Sequence, residues 1–275
     1  MILRPVSLAA MHPLCADPGE VRFGAKTIGE MLADRLSALP KDLRWRSDFF
    51  PDDRLLETLA GAENFTVVAD DGEVAGGTGG GEAIPFSGVR IRYPWHLLNI
   101  AEMLLPAMTD PDIRGEISPR ATVEGVIALG ENSRILPGVY IEGNCVIGRN
   151  CKIGPNCYLR GNTVIGDDCH IGQAVEIKNS VIGCRTAVGH LSYAGDSVIG
   201  SRVNFGAGTI IANLRHDGRN HRTMVAGAPI DTGRRKFGAI VGDGVHTGIH
   251  TAIYPGRKLS PGASTRPGEV VRHDL

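Results

Sequence analysis

The chain lacks three features, and each absence removes a class of function. No apolar run reaches the length of a membrane span and no signal-peptide pattern is present. A membrane partner is therefore not expected, and a cytoplasmic protein is. Net charge is almost absent, with 29 basic against 30 acidic residues, which argues against a general nucleic-acid surface. The six cysteines show no CxxC-like or His-rich spacing, so no metal site or disulfide framework is expected. Cys145, Cys151, Cys157 and Cys169 each lie four residues after an aliphatic residue of a repeat, where they read as small apolar side chains filling buried corners. Reduced thiols suit the cytoplasm.

What the chain has is a period. An aliphatic residue recurs at every sixth position from Ile117 through Val123, Leu129, Ile135, Ile141, Ile147, Ile153, Leu159, Ile165 and Ile171 to Ile177. Six matches neither the helix period of 3.6 nor the strand period of 2, and it is the signature of a hexapeptide parallel β-helix. Three hexapeptides make one coil, and coils stack about 4.8 Å apart. Glycine follows the aliphatic residue at Gly148, Gly154, Gly166 and Gly172, where a turning chain needs permissive backbone. The next aliphatic residue, Ile182, comes after five residues instead of six. A second slip precedes Ile199, and the period resumes in Val241, Thr247, Ile253 and Leu259. The expected fold is mainly β, a left-handed parallel β-helix of about seven coils over residues 109–275, preceded by a small α/β domain over residues 1–108.

The first hundred residues carry no such period. A short amphipathic helix is expected over Leu32–Leu39, a strand over Phe65–Ala69 and a helix from about His96 to Met108, able to cap the first coil. The run GGTGGG at 76–81 reads as a linker or loop. A phosphate-cradling loop would need a helix after it, and none is indicated.

Chemistry concentrates at the slip. Arg160 and Lys178 each follow an aliphatic repeat residue and stand one full coil apart, so they should project from one edge of successive coils. Two adjacent cations accommodate an anion such as phosphate; with Glu142 they could equally form a surface charge ladder. His190 follows the repeat residue Val188 by two positions. Its type ionises near neutrality, which suits a base.

The segments VEIKNSVIG, VGHLSYAGD and VNFGAGTIIAN resemble the acetyltransferase domain of the bifunctional glucosamine-1-phosphate acetyltransferase / N-acetylglucosamine-1-phosphate uridylyltransferase family. The likeness runs through about residues 116–270 and is gapless over 160–213. Thr232–Ala239 is similar to the archaeal-type sugar-1-phosphate nucleotidylyltransferases with the same C-terminal helix. The resemblance implies a homotrimer that transfers acetyl from acetyl-CoA to glucosamine-1-phosphate or galactosamine-1-phosphate. It places the catalytic base at His190, the phosphate contacts at Arg160 and Lys178, and the sugar contacts at Tyr193, Asn204 and Asn213. The implied attack needs a neutral amine, which His190 would deprotonate. Backbone around Gly206 to Gly208, with Ala207 and Gly208 against coenzyme A, could hold an oxyanion. The basic stretch Arg234-Arg235-Lys236 is either a solvated face or a contact for the coenzyme A pyrophosphate.

Three departures stand out. Leu214 replaces the family's aromatic residue. A long insertion runs from Asn213 to Phe237. No GxGTRM-type loop or acidic metal-ligand pattern precedes the repeats, so uridylyltransferase activity is not expected. Arg4–Ser7 and Phe23–Ile28 are similar to the opening of reduced nucleotidyltransferase-like domains, and Tyr93–Trp95 to their end, which implies an inactive remnant. Two alternatives remain. One is a non-catalytic trimeric sugar-phosphate scaffold. The other is a γ-carbonic-anhydrase-like metalloenzyme, for which His246 and His250 are four apart rather than the five such sites use.

Overall fold

The computed structural model describes residues 1–15 and 17–275. The chain divides into two compact units, one of Met1–Val21 with Lys26–His96 and one of Arg22–Ala25 with Leu97–Leu275. Among the described residues no helix is long and apolar enough to cross a membrane.

The smaller unit is built on a five-stranded mixed sheet in the order Ile2–Arg4, Arg44–Arg46, Val74–Gly77, Phe65–Val68, Glu82–Pro85. Trp45, Phe49, Phe50 and Phe65 are fully buried and form much of its core. Its helix Ile28–Arg35 starts earlier than the apolar pattern suggests, because Thr27 and Glu30 form a capping box that satisfies free backbone N–H groups. Gly76 and Gly77 belong to a strand rather than to a loop. A Cβ at Gly76 would sit 2.4 Å from the Trp45 ring, and one at Gly77 would sit 2.5 Å from the Phe65 carbonyl oxygen. Glycine here is a packing requirement, which composition alone reads as flexibility.

The larger unit is the expected parallel β-helix. Three parallel sheets of eight, six and eight strands form its sides. The repeat residues point inward and stack, with Ile135, Ile153, Ile171 and Val188 on one side, Ile141, Leu159, Ile177 and Ala194 on the next, and Ile147, Ile165, Ile182 and Ile199 on the third. Cys145, Cys151, Cys157 and Cys169 are buried among them, and all six cysteines are free thiols. The final helix before the coils spans His96–Leu104, with a 3-10 turn continuing over Leu105–Ala107.

Three of the four glycines that follow repeat residues serve a different purpose from the one expected. Only Gly154 of the four has a left-handed backbone. At Gly172 an added Cβ would lie 1.9 Å from the Gly189 carbonyl oxygen of the next coil, so close approach of stacked backbones excludes a side chain. The left-handed corners are held instead by Asn132, Asn150 and Asp168, spaced one coil apart and hydrogen-bonded through their side chains. Asn and Asp tolerate this backbone region best after glycine.

Candidate active site

The slip is a shortened corner. Arg160 pairs in register with Lys178, a full coil of three hexapeptides later, but Lys178 pairs with Gly195, one position short of a full coil. Three residues separate Arg160 from Val164 at this corner, whereas two separate Lys178 from Val181 and two separate Gly195 from Val198. The missing residue pulls the corner inward. Asn179 and Asp196 occupy it, both left-handed (φ 45° and 50°) and both buried, at 9% and 2% exposure. Asn213 follows Asp196 by the same shortened interval that separates Asp196 from Asn179, and the insertion leaves the β-helix there. The Phe237 N–H returns to the Asn213 carbonyl at 2.9 Å and closes the insertion at its base.

Asp196 is the hub. Each of its carboxylate oxygens accepts from Lys178 Nζ at 2.8 Å. One oxygen also accepts from Asn179 Nδ2 at 3.1 Å, and the other from Asn213 Nδ2 at 2.6 Å. Asn213 Nδ2 donates in addition to the Tyr193 hydroxyl at 2.9 Å. Gly195 makes this meeting possible, since a Cβ there would fall 2.3 Å from Tyr193 Oη and 2.7 Å from Asn213 Nδ2. Burial and then the Asp196 charge push the Tyr193 phenol above its ordinary pKa, so it stays protonated with a hydrogen to donate.

Arg160 is bound by the Glu176 carboxylate at 2.7 Å from both Nε and Nη2, and its guanidinium lies 5.6 Å from the centre of the Tyr158 ring. The two stacked cations therefore each have a carboxylate of their own. Glu142, the third member of the charge ladder, accepts from the Tyr158 hydroxyl rather than from Arg160. An incoming anion would compete with these partners or share their donors, since Lys178 has three N–H bonds and Arg160 five.

His190 ends the strand Ala187–His190 on the neighbouring side of the same coil, pairs in register with Gln173, and is exposed. Ser192 Oγ donates to its carbonyl at 2.7 Å, fixing the turn that leads to Tyr193. Asn204 lies on the His190 side, in register with Ala187, and is also exposed. Arg160, Lys178, Tyr193 and Asn213 thus share one face, and His190 and Asn204 the adjoining one. Ala207 and Gly208 form the corner between the two faces one coil on. The Gly208 N–H donates to the His190 carbonyl at 3.1 Å and the Gly206 N–H to Thr247. These two amides are spent, which leaves the Ala207 N–H as the remaining member of the oxyanion stretch suggested by sequence.

The basic stretch divides. Arg235 and Lys236 are exposed, Lys236 bridging to Leu214. The Arg234 guanidinium instead binds Glu102 and Asn99, with Nη1 at 3.0 Å from Glu102 Oε2 and 2.9 Å from Asn99 Oδ1. Glu102 also accepts from Asn179 Nδ2 at 2.9 Å. Burial pushes the Glu102 carboxyl up, but the Arg234 and Asn179 hydrogen bonds outweigh it and hold it below its ordinary pKa. Arg234 therefore ties the insertion to the helix and, through Asn179, to Asp196. Sequence reading missed Asp196, Asn179, Glu102 and Glu176. The one available signal was spacing, because Asn179, Asp196 and Asn213 recur one position short of a full coil on the corner where the repeat shortens.

Residues 141–257 match the model of the GMPPB C-terminal domain. A bifunctional sugar-1-phosphate nucleotidylyltransferase/acetyltransferase of Sulfurisphaera tokodaii is 42% identical over 182 residues, 66% of this chain and 45% of that protein. The bifunctional protein GlmU of Methanococcus aeolicus is 38% identical over 182 residues, 66% of this chain and 44% of that protein. The chain spans less than half the length of these relatives. A solved UDP-N-acetylglucosamine acyltransferase of Francisella novicida covers 61% of this chain and 62% of that one at 17% identity and a TM-score of 0.34, too distant to bear on function. The repeat region of this chain is therefore similar to the GMPPB C-terminal domain and to the C-terminal part of the bifunctional sugar-1-phosphate nucleotidylyltransferase/acetyltransferases, the resemblance its motifs carry.

Proposed function

We propose that the β-helical unit transfers an acetyl group from acetyl-CoA to the amine of an amino-sugar 1-phosphate, glucosamine-1-phosphate or galactosamine-1-phosphate, in a cytoplasmic homotrimer. The observation that carries this reading is the register that sets Arg160 directly beside Lys178, with the Tyr193–Asn213 pair on the same face and the exposed His190 one turn away. The cations take the phosphate. The Tyr193 hydroxyl and the Asn213 and Asn204 side chains orient the sugar, and His190 accepts the proton of the attacking amine. The amine attacks the thioester carbonyl, the C–S bond breaks, and coenzyme A leaves as the thiol. Ala207, Gly208, Arg235 and Lys236 are the candidate coenzyme A contacts, and Arg234 fixes the insertion that carries Arg235 and Lys236.

The alternative is a sugar-phosphate-binding scaffold without turnover. It is favoured by the carboxylates already seated on Arg160 and Lys178 and by Leu214, which is 48% exposed where the family has an aromatic residue. Thiol release from acetyl-CoA with each amino-sugar phosphate separates the two. Turnover that disappears in His190→Ala supports the enzyme. Binding of the sugar phosphate with no thiol release from either sugar supports the scaffold. Lys178→Ala should raise KM through loss of a charge-assisted contact of about 1.5–3 kcal/mol, and an unchanged KM would remove the phosphate assignment.

A further inference from the structure

The smaller unit contains a cleft of about 620 Å³ on the outer face of its sheet. Trp45 turns inward and is fully buried, so its neighbours Arg44 and Arg46 project to the opposite face. Arg4 lies beside Arg46 in the parallel register, which brings three guanidinium side chains onto adjoining strands lining one cleft. Like charges so arranged are unfavourable unless matched. Arg46 is matched by Asp48 and Glu73. Arg35, Arg90 and Arg92 of the same unit are matched as well, by Asp53, Asp71 and Glu73. Among the described residues no carboxylate lies within ion-pair reach of Arg4 or Arg44. One carboxylate, Asp42, shares the lining.

The rest of the cleft suits an anion. Gly77 leaves its floor without a side chain, and Gly79, left-handed at φ 102°, faces open space. The Gly79 N–H has no backbone acceptor among the described residues. The Thr78 hydroxyl accepts from the Phe65 N–H at 3.1 Å, which leaves its own proton to donate.

We propose that this cleft binds a small phosphorylated ligand, a phosphomonoester or diphosphate, held by the Arg4 and Arg44 guanidinium groups and the Thr78 hydroxyl. The guanidinium fork matches phosphate oxygens in pairs. Two unmatched arginines and one carboxylate suit a compact dianion and not a nucleic-acid backbone, which needs an extended row of cations. The site is independent of the acetyl-transfer reading, because every residue in it belongs to the other unit.

The test is calorimetric titration of pyrophosphate, and separately of inorganic phosphate, into the full chain carrying Lys178→Ala, which weakens the phosphate position proposed on the β-helix. Saturable binding is expected there. Adding Arg4→Gln and Arg44→Gln should weaken it by roughly tenfold or more, from the loss of charge-assisted hydrogen bonds. Adding Asp42→Asn instead should tighten it, a gain that disrupted folding cannot mimic. No binding of either probe at low salt overturns the proposal, as does an affinity indifferent to both the arginines and Asp42. Tighter binding of pyrophosphate than of phosphate identifies a diphosphate group, and the reverse a monoester.

Discussion

Asp196→Asn isolates the charge at the hub of the shortened corner while nearly preserving its shape. Asp196 is 3% exposed at its side chain and Lys178 15%, so the pair is largely removed from water. The substitution leaves the ammonium without its counter-charge and replaces one acceptor oxygen by an NH2 group. That group must face a donor, Asn179 Nδ2 or Asn213 Nδ2, whichever way it turns, because each oxygen accepts from one of them. Removing one partner of a buried ion pair costs about 3–5 kcal/mol. Lys178 retains some access to water, which places the expectation near the lower end, about 3 kcal/mol. Urea unfolding followed by circular dichroism measures it, read on the transition that the mutation moves, because two compact units need not unfold together. Lys178→Met in the same chain supplies the control. With the charge already gone, Asp196→Asn should cost less than in the parent by a coupling of about 1–3 kcal/mol. A loss under about 0.5 kcal/mol for Asp196→Asn alone, the range of an ordinary surface change, would refute the claim that this carboxylate organises the corner.

Gly172→Ala should destabilise the β-helix by about 1–3 kcal/mol through backbone displacement, checked by thermal melting; an unchanged midpoint would mean the coils spread freely. His221 of the insertion, 2% exposed, contacts the Asn213 carbonyl through Nε2 at 3.1 Å, and burial pushes its imidazole below the ordinary pKa despite that contact. Its folded pKa lies below the unfolded one, so as pH falls through about 6.5 the unfolded chain takes up a proton before the fold does. Stability from this group is therefore complete above that pH and declines as pH falls below it. Glu102 acts in the same sense at lower pH, since its folded pKa is depressed and its contribution is lost as the carboxylate protonates. His221→Phe should flatten the melting temperature against pH between about 7 and 5, and a slope identical to the parent would exclude His221 as the cause.

The fold was legible because its signal is one-dimensional. Each inward residue packs on its equivalent one coil away, so period alone specifies the neighbours of Ile153 or Leu159. The same arithmetic put Arg160 next to Lys178. What it missed are contacts that do not follow the stack. Glu176 reaches Arg160 diagonally, 16 residues away, and Glu102 reaches Asn179 from a helix 77 residues earlier. Gly76 looked like a linker because nothing in its neighbourhood announces the Trp45 ring that excludes a side chain there.

A solenoid with a faultless repeat has identical corners, and identical corners leave polar side chains in solvent. Asn132 and Asn150, on an unshortened corner, are exposed, and their side chains bond to their neighbours in the stack. Deleting one residue per coil changes that at Asn179 and Asp196, which keep the left-handed backbone but lose their water. A buried carboxylate must be satisfied by charge and hydrogen bonds. Asp196 therefore holds Lys178, Asn179 and Asn213 in fixed positions. The insertion begins at the next residue on that corner, where Arg234 closes back on Glu102 and, through Asn179, on the same carboxylate. The slip in the period is the means by which an otherwise uniform rod acquires one rigid polar cluster, and the side chains it fixes, Lys178, Tyr193 and Asn213, are those proposed to hold the substrate.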